Sequence, residues 1–267
     1  MICDIDTRQL IDLINSLKTD HGRLLTNSYR RFTDENDTVW NVVAGDKAIL
    51  MIVREELVTR IEFYAERLTD IAGLVSELPS GEYCLEYIYR GRNEYADKLM
   101  EVGFSPLKTM QRCCNYDIGT TLVSNGLIDR YCPLEEYVSM GISELERIKK
   151  LLWDTFDTRI SHLPNDEELR RSIDQGEFFG CIKDGSLVSL LQRQISNKKF
   201  YINQVINRAD PVCIHSIMLG ELQKYVADGG KYIYAWIASD NEASMKFHQK
   251  YGLMPDNMRC DVFILDK

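Results

Sequence analysis

The chain has 267 residues, 45% hydrophobic and 27% charged, with a formal net charge of -9. That length holds one large domain or two of ordinary size. The acidic balance argues against a broad nucleic-acid surface, which needs clustered Lys and Arg, and no apolar run reaches the length of a membrane span.

The opening segment from Met1 to Asp6 is acidic and lacks the basic-then-apolar pattern of a signal peptide. From Asp6 to Lys18, the residues Leu10, Ile11, Ile14 and Leu17 form one helical stripe. Thr38–Ala44 and Lys47–Val53 flank Gly45-Asp46 and predict a hairpin. Leu57–Tyr64 continues as a strand, and Leu68–Leu78 reads as a helix stopped by Pro79. Glu82–Tyr89 is strand-like, Gly91–Phe104 is a helix closed by Gly103, and Leu107–Tyr116 completes a sheet. Residues 117–132 carry Gly, Asn, Ser and Thr with no sustained period, so the domain boundary is placed near residue 120.

The second half opens with an amphipathic helix over Ile142–Phe156, with Leu145, Ile148, Leu151, Leu152 and Phe156 in register. A second helix covers Asn165–Ile173. Glu177–Lys183 and Ser186–Arg193 make a hairpin on the favoured Asp184-Gly185 turn. Lys199–Asn207 is the next strand, and Asp210–Asp228 is a helix ended by Gly229-Gly230. Lys231–Ala238 is a strand rich in aromatic and β-branched residues. The last helix has Asp240 as its expected N-cap, Ala243, Phe247 and Tyr251 on one face, and Gly252 as its stop. Cys260–Leu265 closes the chain as a strand.

The eight cysteines form no C-x-x-C, and the histidines stand scattered at 21, 162, 215 and 248, so no zinc framework is visible. Reduced thiols in a cytoplasmic protein are the expectation.

The last helix carries a resemblance. Asn241, Ser244, Phe247, Lys250, Gly252 and Leu253 fall at the spacings of the pattern Asn-x-x-Ala-x-x-Phe-Tyr-x-Lys-x-Gly-Phe. That pattern resembles the terminal helix of the GNAT N-acetyltransferases, and the order of elements before it resembles theirs too. An echo appears in the first half, where Asn93-Glu94, Gly103 and Pro106 repeat Asn241-Glu242, Gly252 and Pro255. The resemblance implies a mixed α/β fold of the α+β type, with two GNAT-like domains in tandem. The first, residues 1–120, would be trimmed and degenerate, and the second, residues 121–267, would do the work.

It also implies acetyl-CoA as donor and the amine of a small molecule as acceptor, by direct attack in a ternary complex. By position, Val205, Asn207, Arg208, Cys213, His215, Ser216, Asn241 and Ser244 would line the cofactor, and no metal is implied. The family's glycine-rich pyrophosphate turn is missing. Its place is taken by Asp210-Pro211-Val212-Cys213-Ile214-His215, where an Asp cap competes with phosphate and Pro211 has no N–H to offer. Arg208 stands close enough to restore some phosphate affinity. The cofactor is therefore expected to bind in an altered way or not at all. The family's catalytic tyrosine falls on His248, which is expected to donate a proton to the leaving thiolate. Glu177 is a candidate base by proximity, Asn203 and Gln204 point to opposite faces of their strand, and Met218 reads as core. The alternative function is a non-catalytic protein of the same fold that binds a small ligand or a partner. The oligomeric state is left open.

Overall fold

The computed structural model describes residues 2–30, 39–131 and 136–267. Thr38 and Cys132, each expected at the end of a segment, lie outside them. The chain divides into two compact units, Met1–Thr109 with Arg259–Lys267, and Met110–Met258. A single cut near residue 120 does not describe this division, because the first unit takes back the end of the chain.

The first unit begins with β1 (Ile2–Ile5), α1 (Thr7–His21) and β2 (Leu25–Thr26). Helix α1 starts at a capping box. Gln9 N donates to Asp6 Oδ1 at 2.7 Å, and Asp6 N donates to Gln9 Oε1 at 3.0 Å. There follow β3 (Trp40–Ala44), β4 (Ala48–Arg54), β5 (Thr59–Ala65), α2 (Ile71–Ser76), β6 (Glu82–Arg90), α3 (Ala96–Glu101) and β7 (Ser105–Asn115). Strand order is β1-β3-β4-β5-β6, with β2 on β5. The continuous apolar run of β4 is explained by cover on both faces. Ile49 and Met51 pack with Leu10, Ile14 and Leu17 of α1. Leu50 and Ile52 pack with Ile71, Leu74 and Val75 of α2.

The second unit contains α4 (Ile118–Ser124), α5 (Leu127–Arg130), β8 (Val138–Ser139), α6 (Leu145–Trp153) and α7 (Asp166–Asp174). Then come β9 (Phe178–Lys183), β10 (Ser186–Ser196), β11 (Lys199–Asn207), α8 (Pro211–Ala227), β12 (Tyr232–Ala238), α9 (Glu242–Lys250) and β13 (Met254–Asp266). Strand order is β7-β12-β11-β10-β9-β8. Helix α8 covers one face of this sheet, with Ile214, Ile217 and Met218 packed among Phe200, Ile202, Ile233 and Ala235. Helices α6 and α7 cover part of the other, where Ile148, Leu152 and Leu169 meet Phe178, Leu190 and Ile206.

Strands β7 and β13 are each shared between units. Residues 259–267 belong to the first unit, where Phe263 and Leu265 join the core around Leu85 and Phe104. Residues 110–115 belong to the second, where Cys113 is buried in the α8 core. In the first unit Asp261 accepts from Tyr89 Oη at 3.1 Å, Asn93 Nδ2 at 2.9 Å and Thr109 Oγ1 at 2.7 Å.

The mixed α/β architecture agrees with expectation, and several local readings need correction. Residues 117–132, read as irregular, contain α4 and α5. Asp117 caps α4 by accepting from Thr120 N, and Ile118, Leu122 and Leu127 are buried in the α8 core. The helix expected over Gly91–Phe104 is confined to α3, and the last strand starts at Met254 rather than Cys260. No described helix is long and apolar enough to cross a membrane.

Candidate functional site

Strands β11 and β12 run parallel and pair only from Lys199 with Tyr232 to Ile202 with Ala235. Beyond that point β11 stays on β10 as far as Asn207 with Ser189, and β12 stays on β7 as far as Ala238 with Met110. The two strands therefore part, and among the described residues no strand pairs with the edge that each leaves there. The parting has a local cause. On β10, Gln192 faces Gln204 and Arg193 faces Ile202, so Asn203 has no partner opposite and forms a β-bulge. The bulge reverses the alternation of β11. Phe200 and Ile202 point to α8, whereas Ile206 packs on the α6 and α7 side.

The first unit has the corresponding parting. Strands β5 and β6 pair only at Thr59 with Tyr83 and Arg60 with Cys84. Here β5 keeps an unbroken register with β4, from Arg54 with Thr59 to Ala48 with Ala65. The opening is filled by the chain's own residues. Strand β2 pairs with β5, Leu25 with Ala65 and Thr26 with Tyr64. Asn27 then bridges the two parted strands. Its Nδ2 donates to Ile61 O and to Glu86 O, each at 3.0 Å, and its Oδ1 accepts from Phe63 N at 2.7 Å. Ser28 Oγ donates to Glu62 at 2.6 Å, and Tyr29 Oη donates to Ile88 O at 3.2 Å. Among the described residues, none bridges β11 and β12 in this manner.

Beside the opening of the second unit stands the start of α8. Asp210 is its N-cap and Pro211 its first residue. The Asp210 carboxylate accepts from Val212 N at 2.8 Å, and Asp210 O accepts from Cys213 N at 3.1 Å. Helix α9 is capped by Asn241, one residue later than expected, through Ser244 N donating to Asn241 Oδ1 at 2.9 Å. His248 lies on α9, 4% exposed. Its Nδ1 is 2.8 Å from Ser244 O, and its Nε2 is buried with no partner. A carbonyl oxygen only accepts, so Nδ1 carries the ring proton and Nε2 presents a lone pair. Burial pushes the pKa of His248 down to about 4.

These features invite comparison with known proteins. No protein-family model matches the sequence, and no curated protein does. Solved structures do match. A GCN5-related N-acetyltransferase from Sphaerobacter thermophilus is 12% identical, with a TM-score of 0.56, over 99% of this chain and 95% of that one. A GNAT-family acetyltransferase from Colwellia psychrerythraea is 13% identical, with a TM-score of 0.54, over 100% of both chains. A tandem GNAT protein of the clavulanic acid biosynthesis pathway is 9% identical, with a TM-score of 0.55, over 100% of this chain and 98% of that one. The fold is that of the GNAT acetyltransferases.

A GNAT fold implies coenzyme A, whose diphosphate needs open backbone N–H groups at a helix start. Helix α8 does not supply them. Pro211 has no N–H, those of Val212 and Cys213 are taken by Asp210, and the cap is itself an anion. The described residues therefore do not fit a diphosphate at this turn. Removing the cap should change that. Asp210→Gly is expected to tighten coenzyme A binding about three- to tenfold, by freeing Val212 N and deleting a like charge. Calorimetry on the two proteins measures it, and equal affinities would show that the turn takes no part.

The residues assigned to the GNAT cofactor by position divide into two groups. The side chains of Cys213, His215 and Ser216 are buried beneath α8. Ser216 Oγ donates to Val212 O at 2.8 Å. His215 lies with Nδ1 2.5 Å from Tyr251 Oη and Nε2 3.4 Å from Lys250 Nζ. The Lys250 ammonium can only donate, so Nδ1–H donates to Tyr251. Tyr131 stacks on the ring at 4.0 Å between centroids. Burial first, then the charges of Lys250 and Arg130, push the pKa of His215 down to about 4. Asn207 and Arg208, by contrast, are exposed at the end of β11, and Arg208 donates to Thr155 Oγ1 at 3.0 Å. Val205 packs partly against the α8 core, and Asn241 and Ser244 form the start of α9.

The charge of His248 bears on the acid role expected of it. A ring with a pKa near 4 is neutral at pH 7, and its one proton is held by Ser244 O. It has no imidazolium to give to a thiolate, but its Nε2 can accept. Gln192 was not singled out from sequence, and Gln204, weighed as a possible substrate contact or an edge residue, is buried. A polar residue inside the apolar run Leu190-Leu191-Gln192 was the available signal.

Proposed function

We propose that the second unit transfers an acyl group from a thioester to the amine of a small molecule, and that the first unit supports it without holding a donor. The observation that carries this reading is the contrast between the two openings. One is bulged at Asn203 and, among the described residues, unbridged, and the other is filled by Asn27 and its neighbours. The reaction asks for few groups. The amine nitrogen attacks the thioester carbonyl, a C–N bond forms, the C–S bond breaks, and in net one proton passes from nitrogen to sulfur. Backbone N–H groups along the unpaired edge of β11 polarise the carbonyl, as oxyanion donors do. The tied amides at the start of α8 favour a donor that does not depend on a diphosphate contact there.

Calorimetry with acetyl-CoA and free coenzyme A, alongside mass spectrometry of a broad amine panel, tests the proposal. The expected result is one weakly bound donor per chain and acylation of at least one amine. Neither binding nor transfer would leave a non-catalytic binding protein of the same fold.

A further inference from the structure

The face of the second unit's sheet opposite α8 carries a set of side chains that the transfer chemistry leaves unexplained. Ile233, Ala235 and Ile237 of β12 pack with α8, so Tyr232, Tyr234 and Trp236 point the other way, half-buried. Tyr201 of β11 joins them, stacked on Tyr234 at 4.8 Å between centroids and 14° between planes. Tyr232 stacks on Tyr234 in turn at 5.6 Å. Four aromatic rings thus line this face where β11 and β12 begin to part.

The bulge at Asn203 brings Gln204 to the same face, directly opposite Gln192 on β10. Their side chains are 5% and 2% exposed, and the Oε1 of each has no partner. Buried carboxamides are almost always hydrogen-bonded, and a side-by-side pair with open oxygens presents two acceptors to a donor that the protein does not supply. One strand step away, Gln194 lies opposite Tyr201 and donates to the Glu177 carboxylate at 3.1 Å, which adds an anion to this side. Across the parting, Arg112 lies opposite Trp236 and is held by Asp256. This face therefore sets two open carboxamide oxygens beside a row of stacked aromatic rings.

We propose that the acceptor of the second unit is an amine carried on an aromatic ring. The ring lies against Tyr201, Tyr234 and Trp236, and the nitrogen donates to the carboxamide oxygens of Gln192 and Gln204. The spacing suits it. Tyr201 and Gln204 are three positions apart on a strand that rises about 3.3 Å per residue, shortened by the bulge. That leaves about 7–10 Å, the reach of a ring, a two-carbon arm and a hydrogen bond. The inference rests on the acyl-transfer reading for the word acceptor, and on the side chains alone for the ligand class.

The test is calorimetry on the full chain, without donor, using 2-phenylethylamine, n-butylamine and 2-phenylethanol. The first is expected to bind at least tenfold more tightly than either of the others. Gln204→Met should weaken it tenfold or more while raising the melting temperature of the free protein, because an open buried acceptor is removed. Tyr234→Leu, a second variant independent of the carboxamides, should weaken it about threefold to tenfold. Equal binding of butylamine, unchanged binding in Gln204→Met, or no binding of 2-phenylethylamine at millimolar concentration would each overturn the proposal. The two readings fail separately. Binding of 2-phenylethylamine with no acyl transfer removes the transferase and keeps the ligand class. Equal transfer to butylamine and 2-phenylethylamine does the reverse.

Discussion

Acidification from pH 7 to pH 5 should remove about 4 kcal/mol of stability through two histidines alone. His215 and His248 are buried and held near a pKa of about 4, against an ordinary value of 6.5. Below pH 6.5 the unfolded chain protonates both rings while the native state protonates neither. Their contribution is therefore full above pH 6.5, declines with each unit below it, and is spent near pH 4. Each ring costs about 1.4 kcal/mol per pH unit in that window. The carboxyls of Asp70, Asp117 and Asp166 are lowered and act at more acid pH, so the window above pH 5 reports the histidines. Urea midpoints should fall by about 1–2 M from pH 7 to pH 5. His215→Phe and His248→Leu should each take away roughly half of that slope, whatever they do to the midpoint itself. A midpoint that stays level between pH 7 and pH 5 would mean that both rings are hydrated in the native state.

Asn27→Leu should be among the most damaging single changes in the first unit. The side chain nearly keeps its volume but leaves Ile61 O, Glu86 O and Phe63 N without partners in a buried place. At about 1–3 kcal/mol for each of the three stranded groups, the loss is roughly 3–9 kcal/mol. Thermal melting should fall by on the order of 10 °C or more. A fall of less than about 2 °C would show that the segment from Leu25 to Tyr29 is not anchored through Asn27. On the proposed acyl-transfer reading the filled opening holds no donor, and wild-type protein that took up two donors per chain would contradict it.

The sequence made the regular elements readable wherever a period ran long enough to be seen. The alternation of Tyr232–Ala238 and the Asp184-Gly185 turn are built from local chemistry and stand where they were expected, and the last helix differs only in its cap, Asn241 in place of Asp240. The site was harder to read because its features depend on partners distant in the chain. The bulge at Asn203 exists only in the register of β11 against β10, and Asn203 by itself is an ordinary strand residue. Asn27 sits in a stretch with no period, and its role comes from strands 34 and 59 residues away. His248 was placed correctly on its helix, yet its charge could not be read from position, because burial and the Ser244 carbonyl decide it. Asp210 was legible as a cap, because capping is local.

The exchange of strand ends between the units bears on how the protein is made. On the ribosome the first half of the chain emerges early, and domains ordinarily fold in that order. Here residues 259–267, with Phe263 and Leu265, belong to the first unit's core. Until they are synthesised, β6 has an open edge and Leu85 and Phe104 lack part of their cover. The half made first therefore finishes last. A nascent chain stalled or truncated before Arg259 carries an unsealed sheet edge, the surface that chaperones guard and that aggregation exploits.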